Sequence, residues 1–463
     1  MTENNKIMKK AIIALVFIVS ILSVKAQDKT YQPNWKSLDE RPTPEWFTKA
    51  KFGIFIHWGV YSVPAWAPTD IAVGKNFGQK FSEWYWYRLK DSTNKFFAPH
   101  HKKLYGDKSY QDFASDFTAE HFNPSKWADI IADSGAKYVV LTSKHHDGYT
   151  LWPSEQSWNW NSVDVGSRKD LCGELTNAVK EKGLHMGFYY SLYEWFNPLY
   201  NKDVNAYVDK HMIPQMKDLV TRYEPDVLWT DGEWPYTSDV WKSEEFLAWL
   251  FNESKVKETV AVNDRWGKHT RSTHGGYYTT EYDHVYQKEG VDDVYHPWEE
   301  CRGIGGSFGY NRMENLNHYS SSERLVHMLI EKVASGGNLL LNIGPSHDGR
   351  IPVIMQQRLA DIGQWLKING EAIYGTNVWG DAPKMNEEGI YFTKKGKNLY
   401  VICTTWNKRI ELPISASKAQ LVGSNADVKY EKTKTGMTLY APDLQPNNIL
   451  GQYAWVYKIE GVF

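Results

Sequence analysis

Asp231 ends an apolar run, Asp226-Val227-Leu228-Trp229-Thr230-Asp231, and Gly232-Glu233-Trp234 follows it. A carboxylate delivered by a strand to its C-terminal end, with Gly232 able to turn the chain, stands where a nucleophile would meet a substrate. An Asp in that place also caps helices. Trp229 and Trp234 tilt the reading toward a nucleophile facing a sugar, since indole rings stack on sugar C–H faces. The run Lys51-Phe52-Gly53-Ile54-Phe55-Ile56-His57-Trp58-Gly59 likewise ends in a polar residue, and the two-residue period of a strand sets Phe55 and His57 on one face. An imidazole beside an aromatic wall suits a deoxy sugar, whose hydroxyls need hydrogen bonds and whose methyl needs an apolar neighbour. Phe55 is the candidate for that methyl wall. Taken alone, a strand histidine is more often a satisfied core group.

A third run, Val139-Val140-Leu141-Thr142-Ser143-Lys144-His145-His146-Asp147-Gly148, gathers imidazoles and a carboxylate. These are zinc-ligand types, but neighbouring strand residues point to opposite faces, so His145 and His146 converge only where the chain turns. At a turn they can instead reach successive hydroxyls of one sugar. No metal and no other cofactor is expected. Glu83-Trp84, Gly187-Phe188-Tyr189-Tyr190-Ser191 and Asn263-Asp264-Arg265-Trp266 add polar groups flanked by rings. A guanidinium at Arg265 would hold a nucleophile ionised, although a surface salt bridge is the commoner fate of an Arg.

Residues so scattered along the chain meet only if many strands present their ends to one rim. Apolar runs at Lys51–Gly59, Lys137–Thr142, His185–Ser191, Asp226–Asp231, Thr259–Arg265 and Asn338–Gly344 alternate with amphipathic stretches such as Ser125–Ser134, Asp170–Lys182 and Val204–Tyr223. Two more strands in the long intervals would close a (β/α)8-like TIM barrel. The barrel is preferred to a doubly wound open sheet because polar residues recur at many strand ends rather than at one switch point. From about Gly389 the pattern becomes short and alternating, at Gly389–Thr393, Asn398–Thr404, Lys418–Val422, Met437–Ala441 and Tyr453–Ile459. This predicts a small antiparallel β-sandwich, with Gly375–Glu388 as its connection.

The 463 residues carry a net charge of -2, which argues against a surface for nucleic acid or acidic lipid and favours a neutral partner. The 21 Trp and 29 Tyr fit sugar stacking, and fit aromatic packing in a large barrel as well. Lys6, Lys9 and Lys10 precede an apolar run from Ala11 to Val24 and a Val24-Lys25-Ala26 end. That pattern is a signal peptide cleaved after Ala26, so an exported chain, periplasmic or secreted, is expected. The run is short for a membrane span and no second one follows, so no membrane insertion is expected. No Cys lies near the cleavage site to carry a lipid, and Cys172, Cys301 and Cys403 read as buried thiols. The expected organisation is a leader over 1–26, a catalytic barrel over 27–378 and a sandwich over 379–463.

Taken in order, these segments resemble the α-L-fucosidases of glycoside hydrolase family 29. The likeness runs through Trp46 to Trp58, His145-His146-Asp147-Gly148, Leu228 to Trp234, Asn263-Asp264-Arg265-Trp266-Gly267, His274-Gly275-Gly276-Tyr277-Tyr278, Trp298-Glu299, and Gly336-Gly337-Asn338 through Asn342-Ile343-Gly344-Pro345. It implies a barrel followed by a sandwich, and a retaining double displacement that releases α-linked L-fucose from a fucosylated oligosaccharide or glycoconjugate. The nucleophile it implies is Asp231. His57, His145 and His146 match the family's histidines, and Glu83, Trp84, Tyr189, Trp229 and Arg265 match positions lining the fucose pocket. The acid/base position varies in the family. Trp298-Glu299 matches the animal-type branch and makes Glu299 the expected residue, with Glu300, Glu281 and Glu289 in the same interval. Two other readings share much of this pattern: a carbohydrate-binding protein on an inactivated barrel, and a glycosidase for β-D-galactosides or other sugars with the hydroxyl pattern of fucose.

Overall fold

The computed structural model describes residues 29–69, 77–282, 296–380, 389–445 and 451–463. The expected leader, Glu289 and residues 381–388 of the expected connection lie outside these residues.

Eight strands form one parallel sheet: β1 Phe52–Ile56, β2 Tyr138–Lys144, β3 His185–Ser191, β4 Val227–Asp231, β5 Ala261–Val262, β6 Tyr278–Glu281, β7 Trp298–Gly303 and β8 Asn338–Ile343. Their order is β5-β4-β3-β2-β1-β8-β7-β6. The sheet curls until its two ends meet: Gly276 N donates to Asn263 O at 3.2 Å and Tyr277 N to Val262 O at 3.0 Å, across the seam between β5 and β6. The architecture is thus the expected (β/α)8-like barrel. The two strands left unplaced by the sequence are β6 and β7. Their sequences, Tyr-Thr-Thr-Glu and Trp-Glu-Glu-Cys-Arg-Gly, lack the aliphatic run that marks the other strands.

Strand alternation sorts the apolar side chains into two cores. Ile54, Ile56, Val139, Leu141, Phe188, Leu228, Leu339 and Leu341 face outward into the layer of helices. Phe55, Tyr138, Val140, Tyr189, Val227, Trp229, Ala261, Tyr277, Cys301 and Leu340 face inward and fill the barrel in layers. Burying each large apolar side chain in this way stabilises the fold by about 1.5–3 kcal/mol. Helices of the outer layer start where their sequences cap them. Asn123 accepts from Lys126 N ahead of Pro124–Asp133, which has proline in its first turn, and Asp170 accepts from Gly173 N ahead of Leu171–Glu181. The stretch expected as one helix over 204–223 is helical throughout but is interrupted by a π-helical turn at Val208–Met212.

The C-terminal strands are β9 Ile390–Lys395, β10 Asn398–Cys403, β11 Arg409–Leu412, β12 Lys418–Leu421, β13 Lys429–Lys432, β14 Met437–Tyr440 and β15 Trp455–Glu460. They form a four-stranded sheet, β12-β15-β10-β9, and a three-stranded one, β11-β14-β13. All ladders are antiparallel. This unit docks on the barrel's helices. Trp365 Nε1 donates to Ala454 O at 3.0 Å, His327 Nε2 lies 2.7 Å from Tyr453 O, and Lys458 pairs with Glu371 at 2.9 Å. All three cysteines are buried.

Candidate active site

The strand ends of the barrel surround a cavity of about 220 Å³, the scale of a single sugar ring. Its lining includes Phe55, His57, Glu83, Trp84, His145, His146, Tyr189, Trp229, Asp231 and Arg265, so every expected substrate-binding residue and the expected nucleophile meet there. None of the lining belongs to the sandwich.

Asp231 is the last residue of β4, level with Ser191 of β3, and Trp229 lies two residues earlier on the same inward face. Beyond it the chain turns at Gly232, whose φ of +74° and whose absent Cβ, which would stand 2.5 Å from Tyr193 Cβ, both require glycine. The Asp231 carboxylate accepts from Arg265 Nη1 at 2.8 Å and from Tyr189 OH at 3.0 Å, and Arg271 Nη2 lies 3.6 Å away. Burial pushes this carboxyl up, but the Arg265 guanidinium, followed by His146 and Arg271, outweighs it and holds the group below the ordinary carboxylate range. Asp231 is therefore ionised at any working pH. Its packing partners agree: the Arg265 guanidinium lies over the Trp229 ring at 4.2 Å, and Trp229 stacks on Tyr189.

The histidines are fixed as hydrogen-bond acceptors. Ser191 Oγ donates to Tyr193 O at 2.7 Å, so toward His146 Nδ1, 2.5 Å away, it must accept. Asn342 Nδ2 donates to Phe308 O, which turns Oδ1 toward His57 Nδ1 at 2.6 Å. Both rings therefore carry their proton on Nδ1 and leave Nε2 as an acceptor for a sugar hydroxyl. Burial lowers His57 to about 4 and His146 to about 3, so each stays neutral. His145 and His146 lie just beyond the end of β2, with ring centroids 4.1 Å apart, and the turn brings both into the cavity. Beneath them, fully buried, Lys144 pairs with Glu194 at 2.6 Å. Glu83 enters from the connection between β1 and β2. Its Oε2 accepts from Gly309 N at 2.9 Å and Ser307 Oγ at 3.2 Å, and burial raises it to about 7.

Glu299 is placed differently from the expectation. It faces the barrel interior, but it lies one inward position below Cys301, and it is Cys301 that reaches the cavity. Two residues along a strand amount to about 6.6 Å of depth. Glu299 is 0% exposed, is not among the lining residues, and has both oxygens engaged: Oε2 accepts from Tyr138 OH at 2.5 Å and Oε1 from Trp229 Nε1 at 2.9 Å. Burial raises it to about 7. Besides Glu83, the carboxyl that lines the cavity with Asp231 is Glu281, at the end of β6 and level with Cys301. Its Oε2 lies 3.4 Å from Arg265 Nη2, so one guanidinium holds Asp231 on one terminal nitrogen and Glu281 on the other. Burial, followed in size by the opposing pull of Arg265 and then the Asp231 charge, leaves the Glu281 carboxyl above its ordinary range.

Arg271, Glu194 and Phe308 escaped the sequence reading, and Ser191 and Asn342, quoted there within longer runs, were given no role of their own. Arg271 sits in a Ser, Thr and Gly-rich loop with no periodicity, and the others act from strand ends or loops whose partners are remote in sequence.

An ionised carboxylate held by two arginines, a second carboxyl that burial raises above its ordinary range, and imidazole acceptors around a one-sugar cavity form a set suited to glycosidic-bond hydrolysis. The protein is a glycoside hydrolase. The alpha-L-fucosidase family model matches residues 18–371 and the alpha-L-fucosidase C-terminal domain matches 384–460. Tissue alpha-L-fucosidase of Bos taurus is 42% identical over 93% of this chain and 92% of its own length. Alpha-L-fucosidase of Branchiostoma floridae is 43% identical over 97% and 99%. Among solved structures, Thermotoga maritima alpha-fucosidase in complex with a mechanism-based inhibitor aligns with a TM-score of 0.78 and 38% identity, covering 93% of this chain and 100% of that one. The chain belongs to the alpha-L-fucosidase family.

Proposed function

We propose that this protein is an exported, exo-acting, retaining α-L-fucosidase that releases terminal α-linked L-fucose from fucosylated glycans through a covalent fucosyl-enzyme. Residues 27–378 carry the chemistry and 379–463 form the sandwich. Asp231 attacks the anomeric carbon while Glu281 protonates the leaving oxygen; Glu281 then takes a proton from the water that releases fucose. A cavity with room for one ring supports the exo assignment. The neutral His57 and His146 accept from hydroxyls, Glu83 adds a polar partner, and Phe55 offers an apolar wall to the methyl. Export is supported by the leader-like residues 1–26, and no helix among the described residues is long and apolar enough to cross a membrane.

The observation that carries the mechanism is the sharing of Arg265 by Asp231 and Glu281 on the cavity wall. Two carboxyls held by the two terminal nitrogens of one guanidinium support the short separation of a retaining pair, with Asp231 held at 2.8 Å and Glu281 at 3.4 Å. Asp231→Gly should lose turnover by on the order of 10⁴-fold or more and regain part of it with azide, giving the β-fucosyl azide. Turnover near the parent rate in that variant would remove Asp231 from the reaction. Glu281→Ala should lose far more activity on natural glycosides than on aryl fucosides with good leaving groups, which need no protonation. Equal losses on both would exclude Glu281. Glu299→Ala, by contrast, should show no such discrimination.

A further inference from the structure

Five side chains in direct ionic contact alternate in sign across the cavity wall. Glu233 Oε1 accepts from Arg271 Nε at 2.6 Å, Arg271 Nη2 stands 3.6 Å from Asp231 Oδ1, Asp231 accepts from Arg265 Nη1 at 2.8 Å, and Arg265 Nη2 stands 3.4 Å from Glu281. All five are buried or nearly so; the most exposed side chain, Glu281, retains 15%. Guanidiniums do not deprotonate in proteins, and an unbalanced charge in such a place is costly. Three carboxyls against two guanidiniums therefore balance only if the chain holds one proton.

The contacts say where that proton sits. Asp231 faces both guanidiniums; Glu233 is pushed up by burial and its Oε2 is buried without a partner among the described residues, but its Oε1 is bound closely to Arg271, whereas Glu281 meets only a single Nη at longer range. With Glu281 protonated the five groups sum to zero. In the first step the bond from C1 to the leaving oxygen breaks, a bond from C1 to an Asp231 oxygen forms, and the Glu281 proton goes to the leaving oxygen. Asp231 is now an uncharged ester and Glu281 a carboxylate, so the sum is again zero. In the second step water adds to C1, its proton returns to Glu281, and Asp231 departs as carboxylate. Without the Glu233 charge the sum would be +1 in both states, and the wall would favour an ionised Glu281 before the substrate arrives.

We propose that Glu233 is a positioning residue of this cycle: by clamping Arg271 and contributing one fixed negative charge, it keeps the proton on Glu281 in the free enzyme. The proposal rests on the reading of Asp231 as nucleophile and Glu281 as acid/base. The other groups facing this chain take no part in the proton transfers of either step. His146 and His57, on the Asp231 side, are neutral, and Tyr189 keeps its proton. Glu83, Cys301 and Tyr282, around Glu281, are each pushed upward by burial. Asp264, behind the guanidiniums, is bound to Thr279 Oγ1 and Ser272 N.

The test is the pH profile of kcat/KM on a fucosyl disaccharide, whose poor leaving group needs protonation, so that the alkaline limb reports the acid of the free enzyme. Glu233→Gln keeps the shape and removes the charge, and the limb should fall by about one pH unit. Glu233→Asp, which restores the charge, should bring it back to within a few tenths. Arg271→Gln should move the limb the opposite way, upward, and the Glu233→Gln/Arg271→Gln double variant should return it toward the parent position. A Glu233→Gln enzyme whose limb stays in place overturns the proposal and would place the resting proton on Glu233 itself. Should Glu233→Gln fail to fold, the sign of the Arg271→Gln shift decides, a downward shift overturning it. Failure of the underlying reading shows separately: the limb vanishes in Glu281→Gln if Glu281 is the acid/base, and a limb that persists there removes that assignment whatever Glu233 does.

Discussion

Two imidazoles in the cavity are neutral acceptors because a serine and an asparagine each have only one way to face them. Ser191 spends its proton on Tyr193 O, and Asn342 its amide on Phe308 O, so neither His146 nor His57 can present Nδ1 as an acceptor to them. Ser191→Ala removes the acceptor that fixes His146, letting the ring flip between tautomers, one of which offers the sugar a donor where it needs an acceptor. The expected loss in kcat/KM is about tenfold, equivalent to one buried hydrogen bond, with thermal stability nearly unchanged. Steady-state rates beside a melting curve check it, and an unaltered kcat/KM would dismiss the tautomer lock. The same groups set the acid limb of activity. Asp231 is held ionised below the ordinary carboxylate range, but His57 takes up a proton at about 4, and protonation turns its acceptor into a donor. With the folded-state value depressed below the ordinary 6.5, the neutral ring persists above about pH 4 and is lost as pH falls through it. The acid limb of kcat/KM should therefore lie near pH 4, and a limb well below that would assign it to Asp231.

At the scale of elements, the barrel has its thinnest pairing beside β6, which carries Glu281. Between β5 and β6 no ladder forms; two backbone bonds from Gly276 and Tyr277 hold the seam, and a Cβ on Gly276 would stand 2.0 Å from Val262 O. Gly276→Ala must open that seam and displace β6, and Glu281 with it. The expected result is a loss of stability of about 2 kcal/mol or more, with kcat falling more than KM rises, because the sugar-binding groups on β1 to β4 stay in place. A KM-dominated defect would contradict this. The seam also explains which parts of the fold the sequence makes legible. β1 to β4 and β8 announce themselves because their outward faces are aliphatic and their ends polar. β6 and β7 stay hidden because their residues, Thr279, Glu281, Glu299 and Cys301 among them, serve the barrel interior rather than an apolar core. In the sandwich, β11 and β13 escape for a different reason. β11 is four residues long, so its buried Ile410 and Leu412 make too short an alternation to mark a strand, and β13 is nearly all exposed. The depth of Glu299 was equally invisible: Trp298-Glu299 names a residue type and a neighbour, while the layer it occupies depends on where β7 ends relative to β6.

For the molecule as a whole, the buried titratable groups bound stability from both sides of neutrality. His57 and His146 have folded-state values well below 6.5, so the unfolded chain binds more protons than the folded one as pH drops from about 6.5 toward 4, and stability is lost in that direction. Glu299, Glu83 and Asp147 have the opposite sign. Burial raises each to about 7 from ordinary values of 4.5, 4.5 and 3.8, so the folded chain keeps protons that the unfolded one sheds. Their stabilisation is complete below the ordinary carboxylate range and disappears as pH climbs to about 7. Opposed trends place the maximum of Tm in mildly acidic solution, at about pH 5 to 6. Glu299 is the clean probe of the alkaline side, since it lies a layer below the reacting groups. Glu299→Gln replaces a carboxyl that is neutral at low pH with a neutral group of the same shape, still able to accept from Trp229 Nε1 and to meet Tyr138 OH. Near pH 5 the variant should melt close to the parent. By pH 8 it should melt a few degrees higher, because the parent has by then lost up to about 3 kcal/mol at this position. Melting curves of both proteins across that range decide the matter: parallel curves would mean that Glu299 is ionised in the folded protein at neutral pH, and that its bonds from Tyr138 and Trp229 stabilise a buried charge.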